Sequence, residues 1–183
     1  MTHTPSPEDV VILEGARTPI GRFNGSLSGF SGNDLGGMAI AGALERSCVE
    51  AEQVDSVIMG HVLTAGEGQS AARNAAVKGG IPLTTNATTV NKVCLSGMQA
   101  INMATMQVQT GQASVVVAGG MESMTNSPHL LMKSRTGYGY GDGQLLDSLQ
   151  FDGLTCAIES KICLLYTSPS PRDATLSRMP SSA

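Results

Sequence analysis

The stretch that most constrains this chain runs from Thr88 to Thr110. It opens with β-branched residues that suit a strand, passes through Asn91-Lys92-Val93-Cys94-Leu95-Ser96-Gly97, and continues as a long segment of helical character. A strand that turns abruptly into a helix is a building unit of layered α/β folds. Cys94 stands at the junction, near the first unpaired backbone N–H groups of the helix and the positive end of its dipole. Such positions favour the thiolate, the form of cysteine that attacks a carbonyl. Cys94 is therefore the candidate covalent nucleophile.

The remaining elements are expected around this junction. Val10–Ala16 is a compact apolar run ended by Arg17-Thr18-Pro19 and reads as a first buried strand. Gly21–Gly32 reads as a surface loop pinned by Phe23 and Phe30. Asn33 or Asp34 is placed to cap a helix that buries Leu35, Met38, Ala39 and Ala43. Val57–Leu63 reads as a second strand, and a helix follows through Lys78 until Gly79-Gly80-Ile81-Pro82 stops it. In the helix after Cys94, Met98, Ile101, Thr105 and Val108 mark one face. Met103, Ala104 and Met106 make much of the rest apolar, which predicts burial on several sides. Ser114–Ala118 reads as a buried strand broken by Gly119-Gly120, and a loop-rich region begins at Met121.

Composition narrows the functional classes. Aromatics make up 3% of the chain and tryptophan is absent, while glycine and methionine number 22 and 10, so the core must be built from small aliphatic residues in close layers. A net charge of -4 argues against nucleic acid as a partner. The four cysteines, Cys48, Cys94, Cys156 and Cys163, are far apart with no metal-like pairing, and a reduced, cytoplasmic setting is the default. No signal peptide or membrane-crossing run is visible. Gly66-Glu67-Gly68-Gln69-Ser70-Ala71 imitates the spacing of a dinucleotide-binding turn, but no carboxylate follows at the end of the next strand, so a plain helix-opening turn is expected. Tyr166–Ala183 is dominated by Ser, Pro, Thr and Arg without a period that could bury a face. It resembles translated adapter or vector sequence. The chain is thus divided into a core at 1–120, a partial loop domain at 121–162 and a non-native, disordered tail at 163–183.

With these residues in view, the chain resembles the N-terminal part of a thiolase from about Val10 to about Ile158. The resemblance is carried by Ala16-Arg17-Thr18-Pro19-Ile20-Gly21, by Gly68-Gln69 with Ala72-Arg73, and by Val90-Asn91-Lys92-Val93-Cys94-Leu95-Ser96-Gly97. Ala118-Gly119-Gly120-Met121-Glu122-Ser123-Met124 and Asp152-Gly153-Leu154 complete it, in the family's order. The insert with Pro128-His129 and Tyr138–Asp142 most resembles the short-chain type, acetyl-CoA acetyltransferase. The resemblance implies an αβαβα-layered α/β fold made of two similar halves, of which this chain holds the first half, with an incomplete sheet, and part of the loop domain.

It also implies chemistry. The cysteine matching Cys94 is acylated by an acyl-CoA thioester, its backbone N–H helps to hold the oxyanion, and Leu154 contacts coenzyme A with Gly153 shaping the turn beside it. Coenzyme A is substrate and product, acetyl-CoA and acetoacetyl-CoA are the expected partners, and no other cofactor and no metal is implied. The setting is fatty acid metabolism, and full-length members form homodimers or homotetramers. The activating histidine in a Gly-His-Pro motif, the second cysteine and a water-orienting asparagine belong to the second half of the family fold. His3, His61 and His129 are expected to be structural or solvated, and the chain as written is expected to be inactive. A further strand of the family sheet belongs beside Ser114–Ala118, so an open edge and poor solubility are expected. The alternatives are a longer-chain 3-ketoacyl-CoA thiolase, a non-catalytic thiol protein, or a fragmentary reading frame. A ketoacyl synthase shares the cysteine at a helix start but lacks the flanking motifs.

Overall fold

The computed structural model describes residues 9–162. Cα packing divides the chain into two compact units, with the boundary after Ser127. The expected tail, His3 and Cys163 lie outside the described residues.

The first unit is a three-stranded parallel sheet with helices on both faces. Its elements in chain order are α1 (Gly32–Ser47), β1 (Ser56–Gly60), α2 (Ala71–Lys78), β2 (Asn86–Val90), α3 (Ser96–Gln109) and β3 (Val116–Gly120). The strand order is β2-β1-β3, with Ser56 paired to Asn86 on one side and to Val116 on the other. Every residue of β1 is buried. Successive side chains of a strand point to opposite faces. Val57 and Met59 accordingly join the core under α1 and α2, and Ile58 packs with Ala100 and Ala104 of α3.

The helices of the first face are held close by small residues. A Cβ on Gly36 would lie 2.4 Å from Met121 Sδ and 3.1 Å from Ala75 Cβ, so α1 meets α2 and the end of the sheet almost backbone to backbone. For this reason α1 buries Gly32, Asn33, Gly36, Gly37 and Ile40, while Met38, expected inside, is 47% exposed. The cap differs from expectation by a few residues. Ser31 is the N-cap: its hydroxyl accepts the Asp34 N–H at 3.1 Å, and the Asp34 carboxylate accepts the Ser31 N–H at 2.9 Å, a reciprocal capping box. The preceding loop is not pinned by Phe23, which is 61% exposed. Hydrogen bonds hold it instead: Asn126 donates to the carbonyls of Ser28 and Phe30, and the Asn24 N–H donates to Thr125 Oγ1.

Three other expectations are corrected. Val10–Ala16 forms no strand, and Val11, Ile12 and Leu13 are 61%, 84% and 61% exposed. A cavity of about 540 Å³ lies between this segment and β3, with α1 and α3 among its walls, so the segment has no edge within pairing reach. The strand expected at Ser114–Ala118 instead runs through Gly119 and Gly120, which continue the parallel pairing with Met59 and Gly60 of β1. Finally, α3 buries only Ser96, Ala100 and Ala104. Met98, Ile101 and Met106 are 59%, 40% and 53% exposed. Small residues at four-residue spacing face the sheet, and nothing described covers the methionine side.

The second unit is small and loop-rich. Strands β4 (His129–Leu131) and β5 (Leu145–Asp147) pair antiparallel, a wide helical turn spans Leu149–Leu154, and β6 (Thr155–Cys156) pairs with β7 (Lys161–Ile162). Buried Ser148 fastens it, donating from its hydroxyl to the Pro128 carbonyl at 2.6 Å.

Candidate active site

Cys94 lies in a tight turn between β2 and α3, two residues before the helix begins, and its thiol is free and exposed. The turn is over-determined. The Val93 N–H donates to Asn91 Oδ1 at 3.0 Å. Ser96 Oγ accepts the Lys92 N–H at 2.9 Å and donates to the Val93 carbonyl at 2.6 Å. The Leu95 N–H donates to the Lys92 carbonyl at 3.1 Å. These bonds hold Val93 at a φ of +50°, a conformation that a β-branched residue adopts at a cost of about 1–3 kcal/mol. Strain of this kind persists only where neighbouring groups enforce it, and here it projects the adjacent cysteine outward.

Beneath the turn the backbone is packed without slack. A Cβ on Gly60 would lie 2.5 Å from the Ser96 carbonyl carbon and 2.6 Å from the Gly97 nitrogen. The end of β1 is thus the floor on which α3 starts. The same end is tied sideways, since the His61 N–H donates to the Val90 carbonyl at 2.9 Å and the Met121 N–H to the Gly60 carbonyl at 3.0 Å.

Two groups not singled out as a pair in the sequence complete this floor. His61 is 1% exposed, and its Nδ1 lies 2.9 Å from the Met121 carbonyl and 3.0 Å from Glu122 Oε1. Glu122 in turn accepts the N–H groups of Val62 and Leu63 at 3.0 and 3.1 Å. Burial by itself lowers the pKa of His61, but the Glu122 hydrogen bond, the Met121 carbonyl and the charges of Glu122 and Glu67 outweigh it and leave the pKa raised above 6.5. The sequence signal is a polar pair placed after two strands, His61 and Glu122, which only the parallel pairing of β1 with β3 brings together.

Glu67, in the turn that imitates a phosphate-binding loop, points its carboxylate at the start of α1. Its oxygens accept the Gly32 and Asn33 N–H groups at 2.9 and 3.4 Å. The turn is therefore occupied by a helix-capping carboxylate, in agreement with the plain structural reading. His129 is exposed in β4. Gly153 and Leu154 are half-buried at the end of the helical turn of the second unit, while Cys94 belongs to the first.

A parallel sheet under two layers of helices, with an exposed cysteine in an enforced turn at the strand end, defines an α/β protein suited to thiol-based nucleophilic chemistry. The comparisons make the class specific. The family profile of the thiolase N-terminal domain matches residues 10–178, and the chain belongs to the thiolase family. It is 56% identical over 144 residues to a probable acetyl-CoA acetyltransferase of Mycolicibacterium smegmatis, covering 79% of this chain and 37% of that protein. It is 50% identical over 146 residues to an acetyl-CoA acetyltransferase of Cupriavidus necator, covering 80% of this chain and 37% of that one. The fold is similar to the Acat5 thiolase from Ascaris suum solved in complex with coenzyme A, with a TM-score of 0.82, 37% identity, and coverage of 89% of this chain and 42% of the other. The chain therefore spans somewhat over a third of the length of these curated relatives.

Proposed function

We propose that this chain is the cysteine-bearing part of an acetyl-CoA C-acetyltransferase. The observation that carries the reading is the exposed Cys94 thiol, set in its enforced turn within a chain of the thiolase family. In the proposed reaction the Cys94 sulfur attacks the carbonyl carbon of acetyl-CoA as a thiolate. The tetrahedral intermediate collapses by breaking the bond to the coenzyme A sulfur, which leaves as a thiolate and takes up a proton. The products of this half-reaction are acetyl-Cys94 and free coenzyme A. The carbanion of a second acetyl-CoA then attacks the acetyl carbon, releasing Cys94 and acetoacetyl-CoA. The reverse sequence cleaves acetoacetyl-CoA with coenzyme A.

The backbone N–H of Cys94 is assigned to the oxyanion, since donors fixed before the reaction stabilise developing charge without reorganisation. Leu154 and Gly153 are assigned to coenzyme A contact. Coenzyme A serves as substrate and product, and no metal or resident cofactor is invoked. Completion of the cycle needs a base within hydrogen-bond reach of the nucleophile. Nδ1 of His61 is engaged by Met121 and Glu122, so we assign that base to the second half of the family fold and expect this chain by itself to be acylated without turning over. The working protein is proposed to be a cytoplasmic homodimer or homotetramer. Intact-mass measurement after exposure to acetyl-CoA tests the reading: an acetyl adduct that maps to Cys94 and vanishes in C94A supports it, and an unmodified Cys94 in the folded chain defeats it.

A further inference from the structure

We propose that His61 is a positioning residue for Cys94, and that protonation of its ring strengthens its hold on the strand ends beside which the cysteine turn is built. Several bonds converge on one end of the sheet. The His61 N–H fixes the end of β2, from which the Asn91–Cys94 turn departs. The neighbouring Gly60 lies directly against Ser96 and Gly97 at the start of α3, and its carbonyl accepts the Met121 N–H. The His61 ring then closes the circuit from the other side, with Nδ1 on the Met121 carbonyl and on Glu122. Glu122 cannot turn away without giving up Val62 and Leu63. One imidazole thus ties the ends of β1 and β3 together on the α1 side of the sheet, at the strand end against whose other side α3 starts.

The charge state of the ring matters because of what surrounds it. Its Nε2 is buried and has no hydrogen-bond partner. That atom is unsatisfied as a donor in the imidazolium and as an acceptor in the neutral ring with hydrogen on Nδ1; burial disfavours the imidazolium, and what offsets that cost is found chiefly at Nδ1. There the imidazolium adds an ion pair with Glu122 to the hydrogen bonds that the neutral tautomer also makes. The charged groups facing the ring are Glu122, from the segment after β3, and Glu67, from the turn before α2. From α1 it meets Gly32, where a Cβ would lie 2.8 Å from His61 Cε1, and Asp34 on that helix is engaged by Ser31 and Lys78. The start of α3 and the end of β2 present uncharged Ser96, Gly97 and Val90 to the strand end beside it. Because the folded-state pKa is raised, the ion pair's added contribution is fully present below about pH 6.5 and is lost as the pH rises through the folded-state value, leaving the hydrogen bonds of the neutral ring.

The test uses the thiol of the chain itself and does not depend on acyl transfer. The rate of Cys94 alkylation by iodoacetamide is followed across pH by peptide mass analysis, and the His61 ring protons are titrated by NMR. Wild type is expected to show an inflection above about pH 6.5 in addition to that of the thiol, matching the His61 midpoint. His61→Gln, which keeps a polar amide but cannot titrate, is expected to lose that inflection while retaining the thiol's. Glu122→Gln is expected to move the His61 midpoint and the inflection downward together. Identical profiles in wild type and H61Q would overturn the proposal. So would a His61 midpoint unmoved in E122Q, a measurement that stands even if H61Q fails to fold. A chain that shows the coupled inflection but takes no acetyl group would refute the proposed function and leave this inference intact.

Discussion

The two faces of the one sheet are built to different standards of completion. Beneath α1 and α2, Ile40, Val54, Val57, Met59, four alanines of α2, Ile81 and Met121 form a continuous buried cluster, and the helices approach through glycine. Beneath α3 the cluster reduces to Ile58, Ala100 and Ala104, and the outer side of the helix carries exposed methionine and isoleucine. The first face buries far more of its hydrophobic surface, and borders the cavity at the β3 edge through Ile40 and Met59. The second carries the cysteine and keeps its apolar surface outside. That division separates the more fully buried face of the sheet from the face on which the candidate nucleophile stands.

The largest expected effect separates the faces by stability. Ile81→Ala removes a residue that is 2% exposed in the finished cluster and is expected to cost about 2–5 kcal/mol, read from denaturant unfolding. Met106→Ala, on the open side of α3, is expected to change stability by no more than about 0.5 kcal/mol. Equal losses would break the comparison. Next comes the seam between the sheet and the cysteine turn. Gly60→Ala drives a methyl group against the backbone of Ser96 and Gly97, which has no flexible end to give way. A loss of about 1–3 kcal/mol is expected, accompanied by a changed rate of Cys94 alkylation. An unchanged rate would show that the floor does not govern the turn.

How much of this is legible in the sequence follows the same division. The β2–Cys94–α3 unit can be read because β-branched residues, a turn and a helical run occur consecutively. The fold class follows from motifs that stand in a family order. Val10–Ala16 has the composition of a strand, but composition cannot say whether an edge lies within reach, and here a cavity separates it from β3. The buried side of α3 differs from expectation because hydrophobicity singles out methionine and isoleucine, whereas close packing on Gly60 and Ile58 of β1 selects Ser96, Ala100 and Ala104. Glu67 and the His61–Glu122 pair join residues 35 and about 60 positions apart, and no local pattern announces them.

A smaller effect concerns the scaffold face. Asp34 completes the capping box of α1 and pairs with Lys78 at the end of α2; the Lys78 hydrogen bond and then those from Ser31 hold its pKa at about 2, down from 3.8. A depressed carboxylate contributes stability that is present above about pH 3.8 and is lost as the pH falls toward about 2. Both partners are substantially exposed, so the Lys78 pair is expected to be worth less than about 1 kcal/mol. Lys78→Met should therefore melt slightly below wild type at neutral pH and together with it near the acid limit. Ser31→Ala should cost about 1 kcal/mol through loss of the cap. A gap between K78M and wild type that widened in acid would contradict the assigned ion pair.

The smallest expected change in stability belongs to the open surfaces. Ile12 and Met98 are 84% and 59% exposed, one beside the cavity at the β3 edge and the other on the uncovered side of α3. Neither contributes to a buried cluster, so Ile12→Lys and Met98→Lys should each leave the unfolding free energy within about 0.5 kcal/mol of wild type. Their effect should appear instead in association. Exposed apolar patches and unpaired strand edges drive aggregation, and a lysine placed there opposes it by charge and hydration. Light scattering and size-exclusion profiles are expected to show less aggregate for both variants than for wild type, with the double variant lowest. Should both substitutions lower the melting temperature as Ile81→Ala does, these residues would belong to a buried core, and the contrast between the finished and open faces would fail.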